Sequence, residues 1–359
     1  MQSGLSLFVL AKTWMRDSHG LFDYESDHVA KSLFELKCAG HLVRDEHKVQ
    51  FLPLRPGSHQ PEALLAVQKQ VGDRYTVAQY TEEDSLWTVV RYLPGPKKGL
   101  ELTTDSILKL GRVVFRIKEI GEGMDTERSG LGEAEESVEI EEATGEEIVC
   151  RICYERQSSR ENPLLSPCKC DGTVKYLHLN CLKMWIKSKV TTRQTDNSVT
   201  YQWKTIECDL CKLELPLTVR TKTDQVVLFQ YDRPSVPYIV LEAVPTEREA
   251  AKALHVIMMT QGKQTIRLGR GHDSDVRIND ISVSRCHAMI RFETGRFSVE
   301  DNDSKFGTLV KTAKQLDLRE GGSLTVQAGR SLLMVQVKRS TSKAVDGNFR
   351  QLPIDEFAA

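Results

Sequence analysis

No uninterrupted apolar run in the chain approaches the roughly 20 residues that a membrane-spanning helix needs. The N-terminus also lacks the succession of basic, apolar and small residues that directs secretion. These absences predict a soluble protein, with no membrane partner, that is not secreted by that route. The chain also lacks an excess of either charge: 49 Lys and Arg stand against 50 Asp and Glu, a net charge of -1. No global field therefore draws the chain to nucleic acid or to an anionic membrane surface, and a charged partner has to be recognised locally. Cysteine is scarce outside one stretch. Of nine cysteines, seven lie between Cys150 and Cys211, which leaves Cys38 and Cys286 far apart and without a ligand-type neighbour. Those two read as ordinary buried thiols. The cluster, in a chain without a secretion signal, reads as metal ligands before disulfides.

At 359 residues the chain is long enough for two or three modules, each with its own core. Residues 1–120 carry apolar and aromatic side chains throughout. Within Asp27 to Leu42, Val29, Leu33, Leu36 and Ala39 fall at helical spacing, while Trp87 to Leu93 and Val113 to Ile117 are rich in strand formers. A mixed α/β domain is expected there. Between Gly121 and Glu147 the single base Arg128 stands among acidic residues. Self-repulsion and few apolar groups predict an exposed acidic linker over 121–147. After the cysteines, short apolar runs (Tyr238 to Val244, Leu254 to Met259, Gln264 to Leu268, Ala288 to Phe292, Phe297 to Asp301, Gly307 to Lys311, Ser323 to Val326 and Ser331 to Lys338) alternate with turn residues. Such spacing predicts a β-sandwich over about 236–340, with residues 341–359 as a tail. A weak echo links Leu100-x-Leu102, Gly111-Arg112 and Val113 to Lys118 with Leu316-x-Leu318, Gly329-Arg330 and Leu332 to Lys338. It reads either as chance between β-rich segments or as a sign that the first domain is a degenerate relative of the last.

The cysteine cluster has a strict order: Cys150-x2-Cys153, fourteen residues, Cys168-x-Cys170, seven residues, His178-x2-Cys181, twenty-six residues, Cys208-x2-Cys211. Eight ligands in four close pairs fill two tetrahedral zinc sites and leave no open position for water or substrate, which argues against a hydrolytic zinc enzyme. The segment has little apolar core of its own, so the metals must supply much of its folding energy. A disulfide framework is the bland alternative. His178, in register as one of the eight, weighs against it.

The run from Cys168 through Asp171-Gly172-Thr173, His178 and Cys181 to Trp185 resembles the signature of RING-CH ubiquitin ligases. The resemblance implies that Cys150, Cys153, His178 and Cys181 hold one zinc and Cys168, Cys170, Cys208 and Cys211 the other, as a cross-brace over 148–220. A PHD finger, a histone-tail reader, has the same ligand order. It normally places a tryptophan two residues before the seventh ligand, where this chain has Ile206, and the single residue between Cys168 and Cys170 also favours RING-CH. The family resemblance further implies a ubiquitin-conjugating enzyme and ubiquitin as partners, with Ile152, Trp185 and Lys212 as contacts. No catalytic residue is expected, because catalysis by positioning needs no nucleophile or base. Asp209 stands where many RING domains have a proline. The alternative for Trp185 is that it packs the core of the helix that follows Cys181.

Leu268-Gly269-Arg270, Ser274-Asp275-Val276, Ser284-Arg285-Cys286-His287-Ala288 and Asp303-Ser304-Lys305-Phe306-Gly307-Thr308 resemble, in order, the motifs of a forkhead-associated (FHA) domain, a β-sandwich whose loops read phosphothreonine. A phosphate dianion needs a fixed guanidinium and further donors. Arg270 and Ser284 suit those roles, with Arg285 and Lys305 in support. His287 reads as a structural histidine tying a loop. Phe306 departs from the family, where asparagine commonly precedes that glycine. Taken together the expectation is a multi-domain α+β, cytoplasmic protein with the nucleus also open to it. It would be a RING-type ubiquitin ligase holding two zinc ions and recruiting phosphothreonine proteins. The rival readings are a non-enzymatic phosphopeptide-binding adaptor and a PHD-like histone-tail reader.

Overall fold

In a computed structural model of the chain, the described residues are 4–54, 63–71, 74–80, 86–93, 99–123, 128–130, 138–142, 148–220, 225–244, 251–312, 315–339 and 349–352. They form two compact units, Met1–Ile117 together with Gln264–Ala359, and Lys118–Lys263. These boundaries differ from the expected ones: residues 1–117 do not form a domain of their own, and the sandwich does not start at 236.

The first unit is built of strands. Asp27 to Leu42, read above as helical, holds the strands Val29–Leu36 and Gly40–Asp45. Val29–Leu36 is paired on both edges, with Leu5–Trp14 and Phe349–Leu352, and its last five residues are buried. A strand covered on both faces has no polar alternation, so over a short run its apolar pattern mimics that of a helix. The expected mixed α/β character of residues 1–120 is corrected accordingly: among the described residues this region is all strand apart from one 3-10 turn, Val90–Tyr92.

Two five-stranded sheets in this unit share one strand order, although Lys48–Pro53 runs antiparallel to Gly40–Asp45 while Val276–Arg277 runs parallel to Thr265–Gly269. One runs Lys48–Pro53, Gly40–Asp45, Ala63–Gln70, Arg74–Ala78 and Gln315–Leu318; the other runs Val276–Arg277, Thr265–Gly269, Ala288–Glu293, Arg296–Asp301 and Leu100–Leu102. Each is completed by a strand from the opposite end of the chain, with Leu318 opposite Tyr75 and Leu102 opposite Phe297. A larger sheet repeats the exchange. Leu86–Val89 lies between Thr308–Lys311 and Ser323–Ala328, and Ile107–Leu110 also pairs with Thr308–Lys311. The sequence echo marks these exchanged strands. Both copies turn a hairpin at their Gly-Arg step with the glycine in the left-handed region, Gly111 at φ 60 and Gly329 at φ 54, where a side chain would be strained. Leu7, Leu42, Leu65, Val77 and Val337 are fully buried between the layers, each such side chain contributing about 1.5–3 kcal/mol by its burial.

The second unit has the one α-helix among the described residues, Leu179–Lys189. Leu179, Leu182 and Ile186 form its buried stripe, and Lys187 and Lys189 sit in its last turn, where positive charge suits the helix dipole. The buried side chains of the helix belong to one core with Leu164, Leu177, Trp203, Ile206, Val240 and Val256. The cysteine-rich segment therefore shares a real apolar core, larger than its own sequence suggested. Tyr238, Val240, Leu254 and Val256 join that core from Tyr238–Ala243 and Ala251–Met258, which pair with each other and, through Ala251–Met258, with Ser198–Lys204. Parts of the expected acidic linker also belong here. Glu141–Glu142 pairs with Leu165 and Ser166, Val138–Glu139 runs parallel to Val219 and Arg220, and Ile140 is buried. The rest of that stretch (124–127, 131–137 and 143–147) and most of the expected tail (340–348 and 353–359) lie outside the described residues. Among the described residues no helix is long and apolar enough to cross a membrane.

Candidate functional site

Two groups of four ligand atoms converge in the second unit. Cys150, Cys153, His178 and Cys181 form one and Cys168, Cys170, Cys208 and Cys211 the other, the ligand atoms within each lying at most 4.8 Å apart. Two tight knuckles present the outer pairs. Tyr154 N–H donates to Cys150 O at 2.9 Å and Lys212 N–H to Cys208 O at 3.0 Å, and Tyr154 (φ 61) and Lys212 (φ 59) both take the left-handed conformation that closes the turn. His178 caps the helix Leu179–Lys189, so the helix start carries both a histidine and, at Cys181, a thiol. The His178 ring is oriented by its far nitrogen. Nε2 lies 2.7 Å from Gln157 O and must donate to it, which leaves Nδ1 unprotonated, 3.2 Å from Cys153 Sγ and facing the cluster.

This donor set fits zinc: sulfur and nitrogen only, four per group, with no open position. Bare thiols cannot all ionise at such distances. Burial opposes ionisation of Cys208, yet the N–H groups of Cys211 and Leu210 and the Arg151 guanidinium bring its thiol down to about 6, while burial and neighbouring thiols push Cys168 up to about 12. The first group splits in the same way. Burial is again outweighed at Cys150, where backbone donors bring the thiol down to about 7, and burial beside the other thiols pushes Cys181 up to about 12. A divalent cation resolves the conflict by displacing the remaining protons.

The motifs from Leu268 to Thr308 meet in the first unit. Arg270 N–H donates to Ser284 O at 3.1 Å, and Lys305 N–H donates to Ser284 Oγ at 3.1 Å. With a lone pair thus engaged, the Ser284 hydroxyl keeps its proton free to donate. Arg270 and Arg285 are exposed and make no ion pair among the described residues, whereas Lys305 Nζ lies 3.3 Å from Asp23 Oδ2. His287 is fully buried and bridges two loops, accepting from Ser284 N–H at Nδ1 (3.0 Å) and lying 3.0 Å from Gly307 O at Nε2. Burial holds its pKa below the ordinary 6.5, which suits a neutral ring with one donor and one acceptor. Gly269 is obligatory, since a Cβ there would stand 2.1 Å from Arg285 O. Phe306 packs near Trp14, with ring centroids 6.1 Å apart, which accounts for an aromatic residue where the family has asparagine.

Residues 150–211 match the family model described as RING-variant domain, and residues 266–326 match the FHA domain model. The chain carries a RING-variant domain and an FHA domain. Over 96 residues, 26% of this chain and 12% of that protein, it is 36% identical to the E3 ubiquitin-protein ligase MARCHF7 of Pongo abelii. Over 62 residues, 17% of this chain and 4% of that protein, it is 37% identical to the ERAD-associated E3 ubiquitin-protein ligase DOA10 of Saccharomyces cerevisiae. The chain thus spans a small part of the length of these relatives. The Mycobacterium tuberculosis Rv1747 FHA-1 structure is 19% identical, with 24% of this chain and 88% of that one covered at a TM-score of 0.13.

On the RING-variant domain, Ile152 is 42% exposed and Trp185 is half-buried, packed against the core yet open at its edge. Its indole N–H donates to Asp209 Oδ2 at 3.0 Å, Lys189 Nζ donates to Asp209 Oδ1 at 3.0 Å, and the Lys189 ammonium lies 4.9 Å from the Trp185 ring centre. Asp209 therefore fixes the tryptophan. Lys212 is exposed, and Met184 and Leu210 are exposed apolar residues that sequence reasoning did not single out.

Arg151 was also missed. It sits between two ligands of the first group but reaches the second, with Nη1 3.6 Å from Cys170 Sγ, Nη2 3.6 Å from Cys208 Sγ, and Nη1 donating to Val174 O at 3.0 Å. Four thiolates around one zinc leave a net negative charge that this guanidinium offsets. Arg151→Ala is expected to weaken the second zinc about 10- to 100-fold, the usual effect of losing a partner of the ligands. A zinc competition titration reads this as one loosened ion of two, and two unchanged affinities would refute the role.

Proposed function

We propose that the chain is a RING-type E3 ubiquitin-protein ligase, which holds a ubiquitin-charged conjugating enzyme on its RING-variant domain and receives phosphothreonine-containing targets on its FHA domain. The first half rests on the exposed apolar side chains Ile152, Met184 and Leu210 and the half-buried Trp185, carried by the same segment as the two closed metal clusters. Closed clusters supply rigidity and no reactive position, so the domain contributes by holding a partner's thioester in a reactive pose. Lys212, exposed at the end of the last knuckle, is suited to bridge enzyme and ubiquitin. The second half rests on Arg270 and Arg285, which are exposed and make no ion pair among the described residues, and on Ser284, whose hydroxyl donates to no group among them, the donor set a phosphate dianion requires. The shared strand order of the two five-stranded sheets supports reading the sheet that holds Gly40–Asp45, Ala63–Gln70 and Arg74–Ala78 as a degenerate relative of the one in the FHA segment.

Ile152→Ala and Trp185→Ala test the contact face, with discharge of ubiquitin from a charged conjugating enzyme to free lysine as the readout. Truncating such an anchor costs about 2 kcal/mol or more, roughly a thirtyfold loss of affinity, so discharge should fall steeply while zinc content stays at two. Undiminished discharge in both variants rules the face out. Loss of zinc in Trp185→Ala reassigns that side chain to the core.

A further inference from the structure

The turn Asp301–Thr308 is held by residues that lie far outside the matched FHA segment. The Asp301 side chain is 2% exposed. Its Oδ1 accepts from Ser304 Oγ (2.5 Å), Thr308 N–H (3.0 Å) and Thr308 Oγ1 (2.7 Å), and its Oδ2 accepts from Arg91 Nε (2.9 Å) and Nη2 (2.8 Å). A carboxylate this deep persists as a charge only when it is paired, and Arg91 is its cation. Side-chain hydrogen bonds and the guanidinium overcome the burial that would otherwise raise its pKa, and hold it below the usual carboxylate range. The same Nη2 donates to Ser304 O at 2.8 Å, and the guanidinium lies 4.9 Å from the Tyr24 ring centre.

Tyr24 in turn donates its backbone N–H to Lys305 O at 2.9 Å, and its ring fills the space where a Cβ on Gly307 (φ 75) would stand, 2.6 Å away. Lys305 is therefore gripped on three sides: its carbonyl by Tyr24, its N–H by Ser284 Oγ, and its ammonium by Asp23. Asp23 is itself buried, with Oδ1 accepting from Glu25 N–H at 3.0 Å, so its carboxylate stays in place whether or not Lys305 points toward it. A phosphate dianion bound at Ser284 and the Asp23 carboxylate are alternative partners for one ammonium group.

We propose that two residues of the N-terminal segment set the strength of the phosphate pocket, Arg91 as a positioning residue that holds the Asp301–Thr308 turn and Asp23 as an internal competitor for Lys305. This rests on the phosphothreonine reading above. It predicts substitutions of opposite sign at two sites that touch no phosphate. Asp23→Asn keeps the acceptor for Glu25 N–H but releases Lys305, and tightens phosphate binding about two- to fivefold, the range of a partly exposed ion pair. Arg91→Met leaves Asp301 unpaired, loosens the turn and weakens binding about tenfold. Arg91→Lys restores the charge but not both hydrogen bonds and lies between.

The experiment titrates the full chain with N-acetyl-phosphothreonine amide and with its unphosphorylated twin, following backbone amides by NMR. Exchange of the Lys305 amide, bonded to Ser284 Oγ, is measured beside that of Gly271, bonded to Arg285 O. The expected result is tighter binding by Asp23→Asn and weaker binding by Arg91→Met, with faster exchange at Lys305 and none at Gly271. Unchanged or weaker binding by Asp23→Asn overturns the competitor role, and wild-type affinity in Arg91→Met overturns the positioning role. If Arg91→Met fails to fold, Arg91→Lys decides, since wild-type affinity with faster Lys305 exchange contradicts the proposal. A wild-type chain that binds both probes alike overturns the phosphothreonine reading itself, a separate result from wild-type discrimination with inert variants.

Discussion

Cys168→Ser and His178→Ser are each expected to lower zinc content from two ions per chain to one or none, and to melt the segment that the lost site organises. The two groups share no ligand, so each variant leaves one site with three donors. A structural zinc contributes roughly 10–16 kcal/mol in small peptides, as much as the whole stability of a typical domain. The melting should nevertheless be local. Val240, Leu254 and Val256 are fully or almost fully buried on strands that no ligand belongs to, so their amides should keep their protection from exchange while the helix Leu179–Lys189, capped by His178, loses it. The first unit, with its own cores, should be untouched. Metal analysis with hydrogen exchange checks this, and either variant retaining two zinc ions would overturn the assignment of its ligand.

Arg270→Ala is expected to cost roughly 1.5–3 kcal/mol of phosphopeptide binding, about a tenfold to hundredfold loss of affinity. The guanidinium is exposed and makes no ion pair among the described residues, so its removal leaves no buried charge behind and the fold should persist. The variant should discharge ubiquitin from a conjugating enzyme at the wild-type rate when no target is present, because the RING-variant clusters draw no ligand from the FHA segment. Only transfer to a phosphorylated target should fall. Tethering acts by raising effective concentration, so that defect should shrink when target is supplied well above the weakened Kd. Equal wild-type affinity for phosphorylated and unphosphorylated threonine peptides would reduce the FHA domain to a scaffold.

What could be read from the sequence was chemistry that demands residue types at fixed spacing. Eight zinc donors in four close pairs announce themselves because tetrahedral sulfur and nitrogen coordination tolerates few substitutes, and the sequence order Arg270, Ser284, Lys305 carries the same kind of signal. Strands after residue 264 were legible from alternation and turns. Val29–Leu36 was not, because pairing on both edges and burial on both faces erase the period that separates strand from helix. The exchange of strands between chain ends was invisible for a different reason: Leu318 meets Tyr75 and Leu102 meets Phe297 across about two hundred residues or more, and no local pattern encodes a partner at that distance. Only the echo at Gly111-Arg112 and Gly329-Arg330 hinted at it. Arg151, Asp209, Arg91 and Asp23 were missed on similar grounds. Each is an ordinary charged residue in sequence and becomes informative only when its partner, a thiolate pair, Trp185, Asp301 or Lys305, is brought beside it.

Whether the RING-variant domain moves ubiquitin is measured most directly by single-turnover discharge of thioester-linked ubiquitin to free lysine, across a panel of conjugating enzymes, by the zinc-loaded full chain. Accelerated discharge is expected with at least one enzyme, abolished when a chelator strips the two ions and carried unchanged by Arg270→Ala. A chain that holds two zinc ions and binds phosphothreonine peptide, yet accelerates discharge from no enzyme in the panel, would contradict it and leave a phosphopeptide-binding adaptor in its place.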